Sequence, residues 1–122
     1  MSMSIQVMYP ITETSNFDYD YYFSKHMKIV GETLGEHIQS TLVTKGIAGG
    51  PDVPAGSYAT ATMVFEDKSA MDLALSKIGT ALGDIPNFTD TEPVMLIGEV
   101  VSCIHIPAVG SYGCSCGGWA AN

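Results

Sequence analysis

The spacing of apolar residues switches between a period of two and one near 3.6 in the order strand, helix, strand, strand, helix, strand, and this order restricts the fold more than any other feature. Ile5, Val7 and Tyr9 alternate with Gln6 and Met8 over residues 4–9 and stop at Pro10, which predicts a first strand. Asp18 is the predicted cap of a first helix that runs to about Leu34, with Gly35 in the left-handed closing position. Tyr19, Tyr22, Phe23, His26, Met27, Ile29, Val30 and Leu34 recur along it at three- and four-residue steps and form its apolar face. A second strand over residues 38–45 contains Leu42 and Val43, and a glycine- and proline-rich turn over 46–56 leads to a third strand over 58–65. There Tyr58, Thr60, Thr62 and Val64 oppose Ala59, Ala61, Met63 and Phe65, so that small side chains on one face leave room for a helix to approach. Ser69 followed by Asp72 predicts the start of a second helix with Met71, Ala74, Leu75, Ile78 and Leu82 as its stripe and Gly83 as its end. A last strand spans residues 94–101, where Glu99 interrupts two apolar faces.

This order defines an α+β fold of ferredoxin-like βαββαβ topology, an antiparallel sheet with both helices on one face. With 122 residues the chain suffices for one such domain, expected over residues 1–101, followed by a glycine- and cysteine-rich tail over 102–122. The helices leave the other sheet face bare. Because 46% of the residues are hydrophobic and only 15% charged, a homodimer that packs two sheets face to face into a barrel is the expected way to cover it.

The net charge of −8, with lysine as the only strong cation and no arginine, argues against nucleic acid and anionic membrane as partners. No apolar window is long enough to span a bilayer, and residues 1–4 lack the pattern of a signal peptide, so the expected location is the cytoplasm. Three cysteines crowded near the end are expected as thiols rather than as a disulfide framework. Cys103, His105, Cys114 and Cys116 have the chemistry to bind zinc or copper(I), but their spacing is unlike that of zinc knuckles, and neither metal nor cofactor is expected. Tyr112 or Trp119 is expected to dock the tail on the body or on the other subunit. No phosphate-binding loop, dinucleotide fingerprint, nucleophile elbow or zinc-protease motif occurs.

Three segments carry a family likeness: residues 7–10 (VMYP), residues 17–27 (FDYDYYFSKHM) and residues 84–90 (DIPNFTD). Over residues 4–101 the chain resembles the EthD family, and the pairing of Tyr22 with His26 is the most specific element of the resemblance. The likeness implies a dimeric α+β barrel that holds a small organic molecule in a cavity between sheet and helices. That wider group includes decarboxylases, lactone isomerases, cofactor-free oxygenases and haem proteins, so the fold leaves the reaction open.

Tyr22 and His26, four residues apart on one helix face, are the first catalytic candidates: an imidazole to move a proton and a phenol to orient it or to donate to an oxyanion. The competing reading of His26 is a core histidine with one satisfied nitrogen. Glu99 is the third catalytic candidate, an acid or base if buried and otherwise an edge carboxylate in water. Tyr9, Tyr58, Met63, Phe65 and Phe88 are candidate pocket walls that equally suit plain core, and Asn87 is a candidate ligand-binding side chain although, like Asp84, it suits the turn at Pro86. Three functions are weighed: an enzyme or accessory protein of a catabolic or polyketide-like pathway acting on a small, largely apolar molecule by isomerisation, decarboxylation or cofactor-free oxygenation; a non-catalytic carrier; and an assembly protein with a filled interior. Haem binding is a weaker fourth.

Overall fold

The structure, a computed structural model, describes residues 2–102. Strands β1 (Met3–Pro10), β2 (Ser40–Lys45), β3 (Ser57–Phe65) and β4 (Val94–Glu99) form one antiparallel sheet in the order β2-β3-β1-β4. Between β1 and β2 run α1 (Tyr19–Tyr21), a π-helical stretch (Tyr22–His26), α2 (Met27–Leu34) and a 3₁₀ turn (Gly35–His37). Between β3 and β4 run α3 (Lys68–Ser76), α4 (Gly79–Asp84) and a second 3₁₀ turn (Ile85–Asn87). Each half is a strand, helical layer and strand, and the sheet order is the ferredoxin-like one expected from the periodicity.

Pairing fixes which side chains share a face. Val43, Ala61, Val7 and Met95 form one row across the sheet, and Leu42, Thr62, Gln6 and Leu96 form the next on the opposite face. The first row belongs to the helix side, where Ile5, Val7, Tyr9, Ala59, Met63 and Phe65 are buried against Val30, Leu34, Met71 and Ala74. Ala59 and Ala61 supply the small surface that lets the helical layer lie close to β3, as their position in the sequence suggested. The second row has no helix over it, and Leu42 and Leu96 are 54% and 56% exposed.

Several boundaries differ from the sequence expectation for local reasons. Gly35 is right-handed (φ −56°, ψ −36°) and passes the chain directly into the 3₁₀ turn, so no left-handed cap forms there. The cap of α3 is Asp67, whose carboxylate accepts the Ala70 N–H at 2.9 Å, and Ser69 lies inside the helix. The predicted second helix breaks at Lys77 (φ −111°, ψ 1°), which leaves Gly83 inside α4 rather than at an end. Strand β4 stops at Glu99 instead of Val101: its last register pair is Met3 with Glu99, and one further hydrogen bond, from the Val100 N–H to the Ser2 carbonyl at 2.9 Å, closes the ladder. The cysteine–histidine set and the docking of Tyr112 or Trp119 lie outside the described residues.

The capping assignment is testable by urea unfolding: Asp67→Ala is expected to cost about 1 kcal/mol, whereas Ser69→Ala changes stability by less than about 0.5 kcal/mol. Equal effects would contradict it.

Candidate active site

Tyr22, His26, Val30 and Leu34 follow one another at a strict spacing of four and are all buried. At 3.6 residues per turn each four-residue step overshoots a full turn by ~40°, so three such steps would carry Leu34 well off the Tyr22 face. The π-helical stretch, closed by the Met27 N–H donating to the Tyr22 carbonyl, is wider per turn and turns the row back. Tyr22 and His26 thereby both point inward, their rings stacked at 5.5 Å and 16°.

His26 is 4% exposed and its Nδ1 lies 2.9 Å from Asp84 Oδ2, at the far end of α4. A carboxylate only accepts, so Nδ1 carries the hydrogen of this bond and Nε2 of the neutral ring is left as an acceptor. The other oxygen of Asp84 accepts from the Tyr21 hydroxyl at 2.7 Å and from Asn87 Nδ2 at 2.9 Å. Burial pushes the Asp84 carboxyl up, but the hydrogen bonds from Asn87, Tyr21 and His26, together with the charge of His26, outweigh it and hold it below the usual aspartate range. The same hydrogen bond to Asp84 raises the Tyr21 phenol.

The ring of His26 lies in a pocket between α2, α4 and the sheet, with Tyr9, Met27, Met63 and Leu82 among its walls. Its volume is about 30 Å³, room for roughly one water molecule. Burial pushes the Tyr22 phenol up to about 12, and raises the Tyr9 phenol further with help from neighbouring Tyr22 and Asp84, so both remain hydrogen-bond donors at neutral pH. The Tyr22 hydroxyl is fully buried and has no hydrogen-bond partner among the described residues. Leaving such a group unsatisfied costs about 1–3 kcal/mol, a cost that a polar group on a bound molecule would remove.

The candidates divide accordingly. Tyr9, Tyr22, His26 and Met63 meet at the pocket, and Phe88 packs on the His26 ring at 4.6 Å. Phe65 is core below the helices and does not line the pocket. Tyr58 stacks on Phe17 at 5.2 Å and shares a hydrogen bond with Ser15 Oγ, away from the pocket walls. Asn87 is exposed and acts on Asp84 rather than on the pocket. Glu99 is exposed at the end of the edge strand, where the sheet margin leaves its carboxylate in water. Asp84 and Tyr21 are the residues that sequence reasoning missed: Asp84 was read as a turn former, and its partnership with His26 spans 58 positions of sequence. Among the described residues no group of three histidine, cysteine or acidic side chains stands close enough to hold a metal ion, and no helix is long and apolar enough to cross a membrane.

A ferredoxin-like domain with a buried histidine–aspartate pair under its helical layer is the class these features define. An EthD-like protein from Ralstonia eutropha JMP134 is 36% identical, covers 83% of this chain and 93% of its own, and superposes with a TM-score of 0.73. The chain belongs to the EthD family. An ethyl tert-butyl ether D family protein from Bacillus halodurans C-125 is 19% identical over 83% of this chain and all of its own (100%), with a TM-score of 0.65. SnoaB, a cofactor-independent oxygenase from Streptomyces nogalater, shares the fold at 9% identity and a TM-score of 0.55, covering 87% of this chain and 97% of its own. No protein-family model and no curated protein matches the chain.

The Asp84 carboxyl titrates lower in the folded chain than unfolded, so its stabilisation is complete above the ordinary aspartate pKa of ~3.9 and is lost as pH falls through the lower folded value. Asp84→Asn is therefore expected to cost about 1–3 kcal/mol at neutral pH, with the gap to wild type closing in acid. A gap in urea midpoint that is independent of pH would contradict this.

Proposed function

We propose that the chain is a homodimeric enzyme that moves a proton on a small, largely apolar organic molecule bound between the helical layer and the sheet. The observation that carries this reading is the His26–Asp84 pair beside an apolar pocket lined by both His26 and Tyr22, whose hydroxyl is buried without a partner among the described residues. Nε2 of His26 accepts a proton from an activated C–H or O–H of the substrate. Asp84 keeps the ring in the required tautomer and stabilises the imidazolium that forms. The Tyr22 hydroxyl donates to the oxygen on which negative charge develops. Return of the proton at another atom completes an isomerisation, and addition of molecular oxygen to the carbanion is its other fate; in a decarboxylation the order is reversed, carbon dioxide leaving first and the carbanion it leaves taking a proton from His26. SnoaB, which has this fold, is a cofactor-independent oxygenase, and that description supports the addition of oxygen.

The dimer is supported by the uncovered sheet face, where Leu42, Val94 and Leu96 are half-exposed apolar residues in a chain that is 46% hydrophobic. The interior of about 30 Å³ favours one rival, an assembly protein whose core is filled by its own side chains. Native mass spectrometry of wild type beside His26→Ala separates the two. The expected result is a dimer carrying a small neutral molecule that His26→Ala loses. Ligand-free dimers in both preparations would favour assembly, and a monomer would overturn the architecture. Once a substrate is in hand, His26→Ala is expected to lower kcat/KM by roughly 10²–10⁴-fold.

A further inference from the structure

The pocket around His26 is too small for an organic molecule, yet it shares a wall with a surface groove of about 360 Å³. The shared residues are Leu82 and Ile85, at the end of α4 and just beyond it. On the outer side the groove is completed by Pro86 and the segment from Thr89 to Pro93. Leu82 is 38% exposed and so faces both compartments, whereas Ile85 is buried.

The sequence of α4 is weak for a helix. Two of its six residues, Gly79 and Gly83, are glycine, and both are exposed. Neither needs to be: a Cβ at either position would meet nothing within 4 Å among the described residues, and neither has a left-handed backbone. Glycine is used in such places at a cost in helix stability, without a steric reason for it here. The break at Lys77 also uncouples α4 from α3, which is anchored by the buried Met71 and Ala74. The inner face of α4 holds only Ala81 and Asp84 in the buried layer, and Asp84 pins just one end through its three hydrogen bonds. Few buried apolar contacts and an uncoupled end are the marks of a segment that opens below the global unfolding free energy.

We infer that α4 is the gate of the His26 pocket, with Leu82 as its size filter: an uncharged organic ligand passes from the outer groove to His26 when the Gly79–Leu82 end of α4 swings out. The inference rests on the reading that a ligand meets His26, but its test needs no substrate. Asp90 and Glu92 flank the groove, which has no cationic residue in its walls, so anions are turned away at the entrance.

Diethyl pyrocarbonate acylates accessible imidazole, and its reaction with His26 in the full chain, read by peptide mass spectrometry against N-acetylhistidine in the same tube, reports the opening. Gly83→Ala is expected to slow acylation roughly two- to fivefold, and Gly79→Ala to act in the same direction, because alanine favours the closed helix. Leu82→Ala is expected to speed it. Asp67→Ala, which weakens the whole domain at the start of α3, is expected to speed amide exchange of Ile5 and Val7 in β1 while leaving His26 acylation unchanged. Acylation that follows global stability across all four variants would overturn the gate, since opening would then be unfolding. Acylation of wild-type His26 as fast as N-acetylhistidine would overturn it too, since the pocket would already stand open. Either failure leaves the proton-transfer role of His26 to be judged separately by ligand loss in His26→Ala.

Discussion

A carboxylate taken out of water costs several kcal/mol unless donors replace the water it loses. Asp84, 7% exposed, has three such donors, and each comes from a different part of the helical layer: His26 from the π-helical stretch, Tyr21 from α1 and Asn87 from the turn after α4. The arrangement around the pocket follows from satisfying that one charge. It holds the end of α4 against the first helical segment and selects Nδ1 as the nitrogen of His26 that carries the hydrogen. It also leaves Nε2 without the hydrogen in the neutral ring of a histidine that is 4% exposed and borders an apolar pocket.

The order of elements and the buried faces of β1 and β3 were legible in the sequence, because alternation in those two strands is a local property. Ile5, Val7, Tyr9, Ala59, Met63 and Phe65 are all inside. The site was legible only in its first half. Tyr22 and His26 share a helix face by spacing alone, but Asp84 is 58 positions from His26, and nothing local distinguishes a turn-forming aspartate from one that reaches a distant imidazole. The π-helical stretch left a trace in the strict four-residue spacing from Tyr22 to Leu34, which a regular helix cannot keep on one face. Of the two readings of Glu99, the structure has the edge carboxylate in water; an apolar neighbourhood in sequence says nothing about whether a strand lies at the centre or the margin of its sheet.

The two layers of the fold divide the work. The sheet supplies the opposite wall, with Met63 paired to Ile5 on one side and Thr41 on the other, and Tyr9 at the register shift between Met8 and Pro10. The helical layer carries the His26–Asp84 pair, and it is uneven in strength. The first half is packed by an aromatic cluster in which Tyr9, Phe17, Tyr22 and Phe88 lie within 5.5 Å of one another, centroid to centroid. The second half thins out after Lys77 into a short, glycine-bearing α4. Under the proposed function, a firm helix that bears His26 and faces a weak one keeps the imidazole aligned while still letting a molecule in.

The tautomer of His26 tests the central claim most directly, and long-range ¹H–¹⁵N correlation NMR of the ring reads it. The account requires a protonated Nδ1 held by Asp84, with Nε2 bare in the neutral ring, and loss of that preference in Asp84→Asn. A neutral ring with its proton on Nε2 and a bare Nδ1 would contradict it, since Asp84 would then have no hydrogen to accept and His26 no free base to offer the pocket.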